Sequence, residues 1–340
     1  MSGLEKDVLQ HEGLVPSAPS IGGDRYVGTV ASYLDEIEGA IALRAPEADV
    51  GWIEERRNHK HYALPYTTEP YDFLAINTPS SYEQGAIPTH EEPPIGMIRV
   101  VASAGEAGYT AGILDAHALN MSIAHIARQL EHIRPRIVGI NPTSVNVPEA
   151  KALAALCEEA GIPYIVGGVH ATLDPGMARR DFPNAEAIVR GDGEIAIRAI
   201  LANRTGQVAG ETIAGVYTKG DFRKNESPLP YAPKMPIERI PRYPQDQFVQ
   251  FPVVVQTITV NGGNYAVNEG STYSTRGCPF ACGFCASPIM VGRETRGVRP
   301  YDHPGMDRIV GEVKDMLRIG ANAIHFLDDM VMVKPDDVGD

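Results

Sequence analysis

From residue 71 the chain alternates two hydrophobic rhythms. Short unbroken apolar runs bounded by polar, Gly or Pro positions predict buried strands: Asp72–Asn77, Thr110–Leu114, Arg136–Ile140, Pro163–Val166 and Ala187–Val189. Between them, apolar residues recur every three or four positions, which predicts helices packed by one face. Pro93-Pro94 opens one through Ile95, Ile98 and Val101, closing near Gly108. Ser122 reads as the N-cap of a second, with Ile123, Ile126, Ala127 and Leu130 on its apolar face. Pro148 begins a third, carrying Leu153, Leu156, Cys157 and Ala160. Asp174–Arg180 is a short fourth helix and Glu194–Leu201 the last.

Five strands alternating with helices across short loops imply an α/β fold: a doubly wound, parallel, five-stranded Rossmann-like domain over residues 71–205. Such sheets bind ligands beyond the carboxyl ends of their strands, where strand order reverses. The expected loops there are Asp115-Ala-His117-Ala-Leu-Asn120, Asn141-Pro-Thr143-Ser144, Gly167-Gly168-Val-His170-Ala-Thr172 and Arg190-Gly-Asp-Gly-Glu194.

The remainder is less regular. Residues 1–70 read as an N-terminal extension, with an acidic amphipathic helix at Tyr33–Leu43 and a solvated charged run at Glu54–Tyr62. Residues 206–245 hold a small hairpin, Ile213–Tyr217 with a partner near Phe222, and then a proline-rich connector over Pro228–Pro244. Proline makes such a connector semi-rigid. In residues 246–340, Val253–Val260 is a strand before the Asn261–Asn264 turn and Ser271–Thr275 a further strand. Pro304–Leu317 is a helix with Met306, Ile309, Val310, Val313 and Met316 inward, and Ala323–Leu327 is a strand closed by Asp328-Asp329.

Composition narrows the class. With 43% hydrophobic and 21% charged residues over 340 positions, the chain can bury the cores of two domains. A formal net charge of −13 without long Lys/Arg clusters argues against nucleic acid or an anionic membrane as partner. The opening residues lack the basic lead and apolar core of a signal peptide, and no apolar run reaches spanning length. Four cysteines, three of them clustered, are not a disulfide framework, so a reducing, cytoplasmic location is expected.

Those three cysteines carry the sharpest chemistry. Ser274-Thr-Arg-Gly-Cys278-Pro-Phe-Ala-Cys282-Gly-Phe-Cys285 spaces them C-x3-C-x2-C on a loop broken by Gly277, Pro279 and Gly283. Thiolates this close suit one soft metal centre. A zinc site with a distant fourth ligand and a disulfide plus a spare thiol are rival readings. A four-iron four-sulfur cluster held by Cys278, Cys282 and Cys285 would leave one iron open to a small molecule. Cys157, on an apolar helical face, reads as a core residue and not as a fourth ligand.

The cysteine spacing, with Phe284 before the third sulfur, resembles the signature of the radical S-adenosylmethionine (SAM) superfamily. Upstream, Pro93-Pro94-Ile-Gly, Glu106-Ala-Gly108-Tyr, Leu114-Asp115-Ala, Val138-Gly-Ile140-Asn, Gly167-Gly-Val-His170-Ala-Thr172 and Arg190-Gly-Asp-Gly-Glu194 resemble the cobalamin-binding domain that precedes it in many such enzymes. The resemblance implies that SAM chelates the open iron and that one-electron reduction yields a 5′-deoxyadenosyl radical. It implies cobalamin bound over the paired glycines Gly167 and Gly168, with His170 in the pocket wall and Ser144 able to hydrogen-bond the benzimidazole. Asp115 and His117 fit the D-x-H part of the D-x-H-x-x-G pattern, whose His ligates cobalt, but Asn120 replaces the glycine; the alternative for His117 is a loop-packed ring. Asp328 and Asp329 stand where such enzymes hold the amino group of SAM, and the alternative is a solvated turn.

The activity so implied is a cobalamin-dependent radical SAM methyltransferase acting on an unactivated carbon. The substrate would be a small, natural-product-like molecule and the electron donor a flavodoxin or ferredoxin. Methylation at phosphorus and ring formation are family variants. Only about two of the usual six βα units fit after Ser271, so residues 246–340 are expected to form an incomplete (β/α) partial barrel with an uncovered edge. A non-catalytic corrinoid and iron–sulfur binding protein is the second reading, and a zinc-stabilised α/β binding protein the third.

Overall fold

A computed structural model describes residues 70–79, 94–117, 121–207, 213–219, 221, 231–235, 239, 254–260, 263–278, 280, 282–290, 292, 301–302, 306–318 and 323–329; over 254–269 it describes the backbone alone. The segments expected at Tyr33–Leu43 and Glu54–Tyr62 lie outside these residues.

The first unit runs β1 (Phe73–Asn77), α1 (Ile95–Glu106), β2 (Ala111–Asp115), α2 (Ile123–Ile133), β3 (Val138–Ile140), α3 (Val147–Glu159), β4 (Tyr164–Val166), α4 (Gly168–Leu173), α5 (Pro175–Asp181), β5 (Ala187–Val189), α6 (Gly193–Arg204) and β6 (Val216–Tyr217). The sheet order is β2-β1-β3-β4-β5-β6, parallel from β2 to β5. Leu74 pairs with Gly112 on one side and Val138 on the other, so strand order reverses at β1 and β3. The strands read as unbroken apolar runs because both faces are covered. Leu74, Ile76, Val138 and Ile140 face a core closed by Ile126, Leu130, Leu153 and Cys157 from α2 and α3. Phe73, Ala75, Ile165 and Val189 face Ile98, Val101, Ile197 and Leu201 from α1 and α6. Fully burying one such side chain contributes about 1.5–3 kcal/mol.

Helix ends follow local chemistry. The Ser122 hydroxyl accepts from the His125 N–H at 3.3 Å to start α2. Pro148 stands in the first turn of α3, and Asp174 accepts from the Met177 N–H at 2.8 Å to start α5. One expectation is corrected here. The string after β4, read as a loop, forms the short helix α4. The strand near Tyr217 is β6, which adds antiparallel to β5, pairing Ile188 with Tyr217 and covering the edge that β5 would otherwise leave open. The partner expected near Phe222 lies outside the described residues.

The second unit runs β7 (Val254–Val260), β8 (Gly263–Thr272), β9 (Arg276–Gly277), α7 (Ser287–Met290), β10 (Tyr301–Asp302), α8 (Met306–Arg318) and β11 (Ala323–Phe326). The expected strand at Ser271–Thr275 is the end of the longer β8, which stops at Thr272. β8 pairs parallel with β11 through the α8 crossover, one βα unit of a partial barrel. β7 pairs antiparallel along β8 and covers that side, while the β11 edge has no partner strand among the described residues. Short β9 and β10 pair antiparallel, Arg276 opposite Asp302.

This unit packs on the α1/α6 face, where Tyr273, Val313, Met316, Ile324 and Leu327 join the apolar cluster. α8 turns Ile309, Glu312 and Met316 inward, while Val310, expected inward, is exposed. Glu312 takes the inward position because cations and a hydroxyl meet it there. Arg308 Nη2 lies at 2.8 Å, Thr272 donates at 2.6 Å, and Arg99 of α1 lies at 3.9 Å. Among the described residues no helix is long and apolar enough to cross a membrane.

Candidate active site

The carboxyl end of the first sheet gathers polar groups around the strand reversal. Asn77, ending β1, donates to Asp115 at the end of β2 at 2.8 Å. After β3, Asn146 accepts from the Thr143 N–H at 2.7 Å and donates across the crevice to the Thr78 carbonyl at 3.4 Å. Ser144 lies exposed on this same loop. After β4, Gly167 is extended and Gly168 adopts φ +77. A Cβ at Gly168 would collide with Asn141 Oδ1 after β3, so conformation and space both require glycine there. Asn141 Oδ1 is buried with no hydrogen-bond partner among the described residues, an acceptor that suits a ligand N–H.

His117 stands just after β2, half-buried beside Asp115. Burial lowers its pKa, and the Asp115 carboxylate offsets that only in part, so the ring is neutral near pH 7 and keeps a lone pair for a metal. His170 turns elsewhere. Its Nε2 meets Asp181 of α5 at 2.9 Å and its ring stands edge-on to Phe182, which ties α4 to α5. Asp181 also pairs with Lys151 at 2.6 Å, which lowers its pKa.

The cysteine loop leaves β8 at Tyr273 and is pinned by Asp328, just after β11. The Asp328 carboxylate accepts from the N–H and hydroxyl of Ser274, both at 3.0 Å, and from the N–H and hydroxyl of Thr275. Asp328 thus shapes the loop from beneath, and Asp329 beside it is exposed. Cys278 is half-buried, Cys282 and Cys285 are exposed, and all three are free thiols. The Cys285 N–H donates to the Cys282 carbonyl at 3.0 Å, and Phe284 between them is 95% exposed. Among the described residues no three His, Cys, Asp or Glu side chains are grouped as a preformed metal site. The donor set itself, three soft thiols within one loop, fits an iron–sulfur cluster, which would draw the sulfurs together on binding. Cys157 is buried in the first core, where burial pushes its pKa up to about 12.

Three features bring the glycine turn and the cysteine loop together. α7, directly after Cys285, packs against α4, directly after the glycine pair. Tyr231, in the connector, accepts from Arg190 at 3.1 Å and donates to the Ile289 carbonyl of α7 at 2.7 Å. Arg276, two residues before Cys278, meets Glu194 at 2.6 Å and Asp192 at 3.3 Å in the turn after β5. Burial disfavours charge on Arg276, but Glu194 and Asp192 outweigh it, so its pKa is raised. Sequence reasoning singled out neither Arg276 nor Glu312, nor gave Glu194 a role. The one available signal was charge, an Arg beside the cysteines and two acids in Arg190-Gly-Asp-Gly-Glu194.

Comparison with known proteins agrees with this arrangement. A family model described as the B12 binding domain matches residues 86–201. An uncharacterized methyltransferase of Pyrococcus horikoshii is 27% identical over 244 residues, covering 70% of this chain and 49% of its own length. The anaerobic magnesium-protoporphyrin IX monomethyl ester cyclase of Rubrivivax gelatinosus is 24% identical over 219 residues, 61% of this chain and 37% of that protein. The cobalamin-dependent SAM radical enzyme OxsB, solved with aqua-cobalamin and SAM, superposes with a TM-score of 0.55 at 14% identity, over 79% of this chain and 36% of its own. That likeness concerns the fold. The chain spans about half the length of the Pyrococcus relative.

Proposed function

We propose that the chain is a cobalamin-dependent radical SAM protein and serves methyl transfer to an unactivated carbon of a small, natural-product-like substrate, a reading supported by the B12-binding-domain match, the methyltransferase relative and the shared fold. When bound, a SAM-ligated four-iron cluster supplies one-electron cleavage of SAM and the corrinoid supplies a methyl group. Cys278, Cys282 and Cys285 would hold the cluster, with Asp328 fixing the backbone from which they project. Gly167 and Gly168 would let the backbone approach the corrinoid, Asn141 would accept from it, and His117, neutral at pH 7, could face the cobalt. A flavodoxin or ferredoxin would deliver the electron.

One observation carries the reading. A B12-binding sheet and a C-x3-C-x2-C loop occur in one chain, and α7 of the loop packs on α4 of the sheet. Anaerobic reconstitution with iron, sulfide and cobalamin tests it. The expected result is a four-iron spectrum that changes on adding SAM, release of 5′-deoxyadenosine under reduction, and one bound cobalamin. Zinc alone in the loop, or a cluster indifferent to SAM, would sink the reading. Ring closure without methyl transfer is a second reading, favoured by the Rubrivivax cyclase among the relatives. Product mass decides, since methylation adds one carbon and ring closure adds none.

A further inference from the structure

The turn after β5 touches α4, the connector and the strand that leads to the cysteines. Arg190 donates through Nε to the Thr172 carbonyl at 3.1 Å, just past the glycine pair, and stacks over the Tyr231 ring at 4.1 Å. Gly191 donates to the Thr172 hydroxyl at 3.1 Å. The Ala232 N–H donates to the Arg190 carbonyl at 2.7 Å, and a Cβ at Gly215 would strike that same connector backbone. Two residues further, Asp192 and Glu194 receive Arg276. Glu194, 1% exposed in the first turn of α6, could not remain there as an anion without a cation beside it. Arg276 is 19% exposed, and its backbone is paired through β9 with Asp302, which also meets Lys234 of the connector at 3.6 Å.

We propose that Arg276, clamped by Asp192 and Glu194, is a positioning residue that holds the cysteine loop at a fixed distance and orientation from the glycine turn after β4. The clamp exists in the chain itself; its consequence for catalysis rests on the methyl-transfer reading. Two bound groups that act on one substrate atom must keep their separation, and a displacement of about 1 Å can cost about 100-fold in rate. The residue type suits that task. A planar guanidinium engages two carboxylates in fixed directions, whereas a lysine ammonium is a point charge that swivels. An ordinary interdomain ion pair would need no such geometry. The Arg204–Glu186 ion pair lies within the first unit, has no contact with the cysteine loop and serves as the control.

Hydrogen exchange on the intact chain without cofactors tests the clamp itself. Arg276→Ala and Glu194→Gln are expected to speed exchange of the Ser274–Cys278 amides at least tenfold, with Arg276→Lys between them and wild type. Amides of β3 and β4 should keep their wild-type rates, and Glu186→Gln, which breaks the Arg204 pair inside the first unit, should leave the Ser274–Cys278 amides unchanged. Unchanged loop exchange in both Arg276→Ala and Glu194→Gln overturns the proposal. So does equal acceleration in β3 and β4, which would make the pair a general stabiliser. Pulsed electron paramagnetic resonance between the reduced cluster and cob(II)alamin then reads position directly. The variants should broaden the distance distribution while iron and cobalt contents stay at wild-type levels; an unaltered distribution overturns the positioning role. A wild-type chain that takes up neither group would sink the methyl-transfer reading, and the exchange experiment would still decide the clamp.

Discussion

The glycine turn after β4 sits on a sheet covered by helices on both faces, and Gly168 is seated directly against Asn141 of the same unit. The cysteine loop after β8 sits on a three-stranded sheet, presents Cys282, Cys285 and Phe284 to the outside, and is held by polar contacts at Asp328 and Arg276. In the first unit apolar burial makes the site, so its shape precedes any ligand. In the second a few carboxylate contacts aim a loop whose thiols, on the proposed function, a bound cluster would draw together. The two should therefore fail independently. Damage to a thiol should leave corrinoid binding intact, and damage to the glycine turn should leave the iron intact.

The largest separation is expected from Cys282→Ala. A three-thiolate cluster does not survive the loss of one ligand, so reconstituted iron should fall to background and 5′-deoxyadenosine release by more than about 100-fold. Cobalamin stoichiometry and the melting temperature should stay at wild-type values. Iron retained in full would break the comparison at its base. Next is Gly168→Ala, at φ +77 and against Asn141. The left-handed backbone costs a residue with a Cβ about 1–2 kcal/mol, and the displaced Asn141 adds to it. Cobalamin affinity, titrated by absorbance, should drop at least about tenfold, since about 1.4 kcal/mol corresponds to that factor. Iron content should not change.

How much of this is legible in the chain depends on the distance over which each feature is decided. The Phe73–Ile76 run announces β1 because burial on both faces removes polar residues locally. Ser122, Pro148 and Asp174 announce helix starts for the same local reason. The cysteine spacing is local too. Gly168 hid α4, because a positive-φ glycine reads as a loop and here only turns the chain into a helix. Glu312 displaced Val310 from the inward face because Thr272 and Arg99, far away in sequence, needed a carboxylate. The Arg276–Glu194 contact spans 82 positions, and no periodicity in either segment reports it. Asp328 was readable as a residue near the site, but its use as an anchor for Ser274 and Thr275 follows only from the pairing of β11 with β8.

A smaller effect should come from Asp328→Asn, which keeps shape and removes charge. Oδ2 accepts from the Ser274 N–H and Oδ1 from the Ser274 hydroxyl and from Thr275, so an amide must face a donor whichever way it turns. Hydrogen bonds to a charged group are worth about 1.5–3 kcal/mol each, with partial recovery through water at this half-buried site. The loop thiols should alkylate several-fold faster while the cobalamin affinity stays fixed. A fall in cobalamin affinity would mean that the two sites are mechanically one.

The smallest effect contrasts the buried thiol with the loop thiols. Cys157 is wholly buried, and burial raises its pKa to about 12, against about 8.5 for a free thiol. Between those values the unfolded chain has lost a proton that the folded chain keeps. The stabilising contribution is therefore complete below pH of about 8.5 and declines as pH rises toward the folded value. At pH 9 the loss is about 1 kcal/mol, growing to about 2 kcal/mol at pH 10. Urea midpoints of the first unit measured at pH 7.5 and pH 9 should show this loss in wild type and not in Cys157→Ala, whose lower starting stability is a separate, pH-independent offset. Iodoacetamide at pH 8.5 should label three cysteines in the native chain and the fourth only in urea. Tyr71 and Tyr217, raised to about 12 by burial in the same unit, lose their protons in the unfolded chain only near pH 10, so they leave the pH 9 comparison to Cys157 alone. A midpoint shift of the same size in Cys157→Ala would assign the alkaline weakness to a group other than this buried thiol.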